Sequence, residues 1–276
     1  MANTISQSFI TQFDADVKLA YQRGQLLRGT VRTKEATGST CRFQKIGKGT
    51  ATDKARNGNV VPMNPDHSYV TATLVDKYAP EYIDVLDELK QNIAEREAMI
   101  MTSVRALQRV ADQQILDVLE AFGGSSATYG GTGLTISKIS EALYEILMNK
   151  DVPDDGNITV VIGWKQYGEL MQLQQFSGWE YVGDRYPYLK GSQAVRWMNC
   201  LWIPHSGTSN AYGSGLWSSR RCFAYHKTAI GHAIGQEIKN EINYIPEKAA
   251  WLINSFLSQG AVKIDTDGIV GIPCYE

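Results

Sequence analysis

A chain of 276 residues with 27 basic and 29 acidic side chains can bury one large core or two smaller ones, and its net charge of −2 gives no global argument for nucleic acid or a membrane surface. No apolar run approaches the ~20 residues of a membrane span, and the amino terminus lacks the basic and apolar regions of a signal peptide, so the chain is expected to be made and kept in a cytosol. Cys41, Cys200, Cys222 and Cys274 show no Cys-x-x-Cys spacing, which argues against a zinc site or a disulfide framework and for reduced, mostly buried thiols.

Residues 1–36 hold a weakly amphipathic stretch (Phe9, Ile10, Phe13, Val17) and the pair Leu26-Leu27, too little to form a core, and read as an arm. The charge is concentrated next to it. Lys18 to Arg56 carries ten basic residues against Glu35 and Asp53, a net of +8 that leaves −10 to the rest of the chain. Two alternating runs, Cys41 to Ile46 and Tyr69 to Val75, predict strands. The glycine- and proline-bearing segment between them exceeds twenty residues, which is uncommon inside a compact domain, and reads as the tip of a long hairpin leaving the body. Ala79-Pro80-Glu81 predicts the start of a short helix running from Glu81 to Lys90.

From Asn92 to Phe122 the chain reads as one long helix. Apolar residues recur at Ile93, Ile100, Val104, Leu107, Ala111, Ile115, Val118 and Phe122 with the 3.6-residue period of one buried face. Arg105, Arg109, Asp112 and Asp117 fall on the opposite, polar face, where Arg105, Arg109 and Asp112 could pair across one turn. At 1.5 Å per residue the rod is about 45 Å long, enough to frame the molecule. The small-residue loop Ser125 to Gly133 precedes a helix capped by Thr135 or Ser137 and ending near Asn149. A turn at Val152 to Gly156, a buried strand from Ile158 to Ile162 and a helix from Trp164 to Gln174 follow. The aromatic, glycine-rich region 176–222 contains a strand from Arg196 to Pro204 and a long loop from Ser206 to Ser219. Beyond Cys222 to Tyr225, another short strand, Ala229 to Ala233 reads as a helix or an irregular crossing. Glu237 to Ile245 reads as a strand, Lys248 to Leu257 as a helix, and 261–264 with 269–272 as a closing hairpin around Asp265-Thr266-Asp267-Gly268.

Chemistry-bearing motifs do not emerge. His67, His205, His226 and His232 have no metal-ligand spacing, there is no Gly-x-Ser-x-Gly elbow, and Gly47-Lys48-Gly49-Thr50 does not satisfy a phosphate loop. Asp154-Asp155 and Asp265-x-Asp267 sit in turns, where Asp is favoured for local hydrogen bonds, and the latter lacks the remaining ligands of a calcium loop. No enzyme, catalytic residue, cofactor or metal is indicated.

The order of elements, together with Tyr78-Ala79-Pro80 leading into Ile83-Asp84, the helix 92–122, the helix 136–149 before Val152-Pro153 and the strand 158–162, Tyr167 with Leu170-Met171, and the late strand Gln236 to Ile245, resembles the major capsid protein of a tailed double-stranded DNA bacteriophage with the HK97-type α+β fold. It is most similar to those of short-tailed phages whose coat proteins lack a fused scaffolding segment. The resemblance implies an N-arm (1–36), an extended E-loop (37–78) lying on a neighbouring subunit, a peripheral domain (79–123 with 236–276) built on the spine helix, and an axial domain (124–235). It implies self-assembly of hexamers and pentamers into an icosahedral shell around double-stranded DNA, assembled in the host cytoplasm and found as the virion capsid, with no membrane. Scaffolding protein, portal protein and a decoration protein are the implied partners. In that frame Arg28, Arg32, Lys45, Lys48, Lys54 and Arg56 are the expected inter-subunit contacts of arm and loop, and Tyr212 and Trp217 those of the axial loop. An encapsulin-like nanocompartment shell is the alternative within the fold. A nucleic-acid-binding role for 18–56 is a weaker one, because its charges are not interleaved with an aromatic stacking platform.

Overall fold

The computed structural model describes residues 22–85, 95–177, 195–208 and 219–275. The chain divides into two compact units: residues 1–25, 76–110 and 236–258 form one, and residues 26–75, 111–235 and 259–276 the other.

The larger unit is built on a five-stranded sheet in the order β11-β8-β5-β7-β6, with β5 Ile158–Ile162, β6 Val195–Trp197, β7 Cys200–Pro204, β8 Ser219–His226 and β11 Ile269–Tyr275. β5 runs parallel to β7 and antiparallel to β8, and every residue of β5 is buried. Its unbroken β-branched run is what a central strand covered on both faces requires. Side chains alternate between the two faces, as the two-residue period of a strand dictates. Ile158, Val160, Ile162, Cys222, Ala224, Val270 and Ile272 pack with Leu143, Leu147, Leu170, Phe176 and Trp202. Their neighbours Val161, Ile203, Phe223, Tyr225 and Ile269 pack instead with Ile115, Leu116, Leu119 and Phe122. Each such fully buried side chain is worth roughly 1.5–3 kcal/mol of transfer free energy.

The helices of the first face are α2 Ile136–Ser140, continued without a break by a π-turn Glu141–Leu147 and a 3-10 turn Met148–Lys150, then α3 Trp164–Gln172 and α4 Gln174–Ser177. Thr135 is the cap, its hydroxyl oxygen accepting from the Lys138 amide. Ile115, Leu116 and Leu119 belong to the end of the long helix, α1 Glu95–Glu120, and Phe122 follows it just before Gly123 at φ +65, the left-handed conformation found past a helix C-terminus. Asn92, the expected start of the long helix, lies outside the described residues.

A second sheet, β1-β9-β10-β4, starts in the larger unit, where β1 Arg32–Glu35 runs parallel to β9 from Arg32 opposite Gly231 to Glu35 opposite Ile234. β9 Ile230–Ile245 and β10 Ala250–Lys263 carry it into the smaller unit, where β4 Val75–Asp84 is the edge. There Ile83, Leu107, Ile253 and Leu257 are buried, and Phe256 lies 6.1 Å from Tyr78 and Trp251 5.2 Å from Tyr244 between ring centroids. The hairpin forms in the larger unit. β2 Thr40–Ile46 and β3 His67–Thr73 pair in register from Thr40 opposite Thr73 to Ile46 opposite His67, and Cys41, Phe43 and Ala72 share a small core with Ala233 and Ile264.

Several sequence expectations fail for definable reasons. Glu81 to Asp84, expected in a helix, end β4; Pro80 is tolerated because an edge strand leaves its missing N–H without a required partner. Lys248 to Leu257 is not a helix. After a 3-10 turn Pro246–Lys248 and a left-handed Ala249, the buried residues Ile253, Ser255, Leu257 and Gln259 recur every second position along β10. Ala229 to Ala233 lead into β9. The single strand expected from Arg196 to Pro204 is the hairpin β6–β7, turning at Met198 and Asn199, both at positive φ as a type I′ turn demands. The turn Asp265 to Gly268 joins β10 to β11 in different sheets and closes no hairpin. Asp112, placed on the polar face of the long helix, is fully buried and pairs with neither Arg105 nor Arg109, which bond to Gln108 and Gln22.

Candidate functional site

The hairpin β2–β3 holds the basic residues singled out by charge. Its base is anchored by Phe43 and Cys41, but beyond Ile46 the chain is stabilised from within. The Gly47 amide donates to the Asp66 carbonyl at 2.7 Å, the Thr52 hydroxyl to the Val61 carbonyl at 3.0 Å, and the Gly58 amide to the Ala55 carbonyl at 2.9 Å. The tip leaves Ile46, Val60, Val61 and Met63 exposed, at 62, 74, 57 and 53% of their full surface. These exposed apolar side chains share their segment with the exposed Lys48, Lys54 and Arg56 and enter none of the buried clusters.

Each expected contact residue can be placed. Lys45 forms an ion pair with Asp265 at 2.8 Å. Lys48 meets the Asp151 carboxylate at 2.7 Å and donates to the Lys150 carbonyl at 3.0 Å. Hydrogen bonding to Asp151 raises the Lys48 ammonium above its ordinary pKa, and the same contact lowers Asp151. Partial burial pushes Asp265 up, yet its hydrogen bonds from Lys45 and the Asp267 amide bring it to a net depression. Lys54 and Arg56 are exposed, with no ion pair to a described residue. Arg32 lies exposed on β1, and Arg28 in a 3-10 turn, Arg28–Thr30. Tyr212 and Trp217 lie outside the described residues. Thus the structure brings Lys45 and Lys48 together with acidic groups; Asp265 is one that turn chemistry reads as structural, and Asp151 is one that no motif singles out.

The approach to the hairpin from the amino-terminal side is fixed by a buried polar node. Asp112 Oδ1 accepts from the Leu27 amide at 3.1 Å, while Oδ2 accepts from the Leu26 amide at 3.0 Å and lies 3.4 Å from His205 Nε2. Thr30 and Tyr225 hydroxyls are 2.6 Å apart, and Leu27 and Val31 enter the core. His232 of β9 is wholly buried with no hydrogen-bond partner among the described residues at either ring nitrogen; burial, with a further push from Arg28 and opposed by Asp112, lowers its pKa to about 4. Composition could not reveal this node, because an Asp on a helix's polar face normally signals solvent.

Among the described residues no group of three or more His, Cys, Asp or Glu is placed to hold a metal ion, and no helix is long and apolar enough to cross a membrane.

The sequence pattern described as phage capsid protein matches residues 5–276. No curated protein matches the chain. The fold is similar to that of the capsid of cyanophage P-SCSP1u, at 13% identity and a TM-score of 0.77 over 99% of this chain and 94% of that one. It is similar to that of Mycobacterium phage Che8, at 16% identity and 0.71 over 96% and 97%. The capsid of Ralstonia phage GP4 is similar at 12% identity and 0.71 over 100% and 98%. Identities this low establish shared architecture.

Proposed function

Because this chain belongs to the phage capsid protein family, which accounts for residues 5–276, we propose that it is the coat subunit that closes, as hexamers and pentamers, into an icosahedral shell around double-stranded DNA. The observation that carries this reading is the hairpin tip, whose exposed Val60, Val61 and Met63 lie in one segment with Lys48, Lys54 and Arg56 and would gain a buried environment on another chain. In this reading residues 1–36 are the N-arm, 37–78 the E-loop, 79–123 with 236–276 the peripheral domain and 124–235 the axial domain. Arg28, Arg32, Lys45, Lys48, Lys54 and Arg56 serve subunit contacts in the assembled shell, and Tyr212 and Trp217 the contacts around the symmetry axes. Scaffolding and portal proteins, packaged DNA and a decoration protein are the partners such a shell would take, and assembly takes place in the host cytoplasm.

Family membership favours a virion over a cellular nanocompartment, and the carboxylate partners of Lys45 and Lys48 favour protein contacts over nucleic acid for those two residues. Electron microscopy of the purified protein tests the proposal. Closed shells of uniform diameter are expected, whereas discrete small oligomers under all assembly conditions would overturn it.

A further inference from the structure

We propose that, before assembly, the hairpin is strapped to its own subunit by the pairs Lys45–Asp265 and Lys48–Asp151, and that this strap must open before the tip can engage a second copy of the chain. The inference rests on the reading of the hairpin as an inter-subunit element and names how that element is held in check.

The contact is built for a cation. Lys48 meets two acceptors, the Asp151 carboxylate and the Lys150 carbonyl, at 2.7 and 3.0 Å. Lys150 ends the continuous helical run that begins at Ile136, so its carbonyl lies at the negative end of the helix dipole, where an ammonium is favoured. Asp151 follows at φ +63, a left-handed residue that turns its carboxylate beside that carbonyl. The second clasp is equally local. Asp265 accepts from the Asp267 amide at 3.1 Å, which steadies the turn, and Lys45 reaches it at 2.8 Å. Neighbouring Lys150 lies 3.6 Å from Asp267 and 3.2 Å from the Ser125 hydroxyl.

Among the described residues, Lys48 is the only member of segment 47–66 with a hydrogen bond or ion pair to the chain outside it. No apolar side chain of the tip is buried, so among the described residues the Lys48 contacts are what tie the segment to the rest of the subunit. Such pairs hold without locking. The side chains of Lys48 and Asp151 retain 69 and 81% of their exposure, and exposed pairs are individually weak and screened by salt. A strap of this strength biases where the tip rests, and a neighbouring subunit offering an apolar surface to Val60, Val61 and Met63 can displace it.

Zero-length carbodiimide coupling reads the strap directly, because it joins an amine to a carboxylate in contact. On the dissociated full-length subunit, the coupled peptides Lys48–Asp151 and Lys45–Asp265 are expected within a band of monomer size. The first should vanish in Asp151→Asn, and both should fall at least threefold in 0.5 M salt. Asp151→Asn with Asp265→Asn should leave the melting curve unchanged and shorten the light-scattering lag of assembly at least threefold. Absence of the intrachain products, products only between chains, or an unchanged or longer lag would each overturn the strap. Failure of the purified protein to form any shell would strike the proposed function instead, and leaves the crosslinking result to decide the strap.

Discussion

Acid titration of His232 gives the sharpest test of the buried node. The imidazole is wholly buried, without a hydrogen-bond partner among the described residues, and burial holds its pKa at about 4, against an ordinary value of 6.5. A base whose folded pKa is depressed costs nothing while it is neutral in both states, above 6.5. As pH falls from 6.5 towards 4 the unfolded chain takes up the proton and the folded chain does not, so folding is progressively destabilised. At 1.36 kcal/mol per unit, the full difference amounts to about 3 kcal/mol, of which about 2.5 kcal/mol has developed by pH 4.5. His232→Leu removes the titration and leaves the other three histidines in place, so their contributions cancel in the comparison. Denaturant unfolding of the isolated subunit at pH 7.5, 6.5, 5.5 and 4.5 should give wild-type and variant curves that diverge steadily, with the variant ahead in acid. Arg28→Gln should reduce the acid sensitivity, because the guanidinium adds to the depression. Parallel curves for wild type and His232→Leu would refute the reasoning.

Asp112→Ala leaves the Leu26 and Leu27 amides and His205 without their shared acceptor, and should destabilise the subunit by about 2–4 kcal/mol while exposing residues 26–31 to limited proteolysis. Leu107, 2% exposed on the long helix, should cost about 2–5 kcal/mol when cut to Ala, measured as a shift in the denaturation midpoint. Deleting Lys48 to Asn59 should leave circular dichroism and melting near wild type, yet yield no stable closed shells by electron microscopy, since those residues contribute no side chain to the core. Reversing Lys45, Lys48, Lys54 and Arg56 together to Glu should block assembly of a still-folded subunit in light scattering. Intact empty shells that had lost only DNA affinity would point to nucleic acid instead.

The sequence determined those elements whose pattern is local and uninterrupted. The period of Leu107, Ala111, Ile115 and Phe122 required a long helix, the run Ile158 to Ile162 required a doubly covered strand, and the alternation on either side of a glycine-rich segment required a hairpin. The concentration of positive charge in that hairpin was equally legible, because net charge needs no coordinates. Partners were not. Which carboxylates meet Lys45 and Lys48 depends on bringing positions 265 and 151 beside the hairpin, across separations of more than one hundred residues. The same long-range placement buried Asp112 against the amides of Leu26 and Leu27, where helical periodicity had placed it in solvent. Pairing also overrode local preference in β4 and β10, since Pro80 is acceptable on an edge and Ile253, Ser255 and Leu257 alternate only once a neighbouring strand gives them a face to share. Periodicity reports how much of a segment is buried, whereas what it is buried against is fixed by contacts between residues far apart in the chain, and these only the tertiary structure decides.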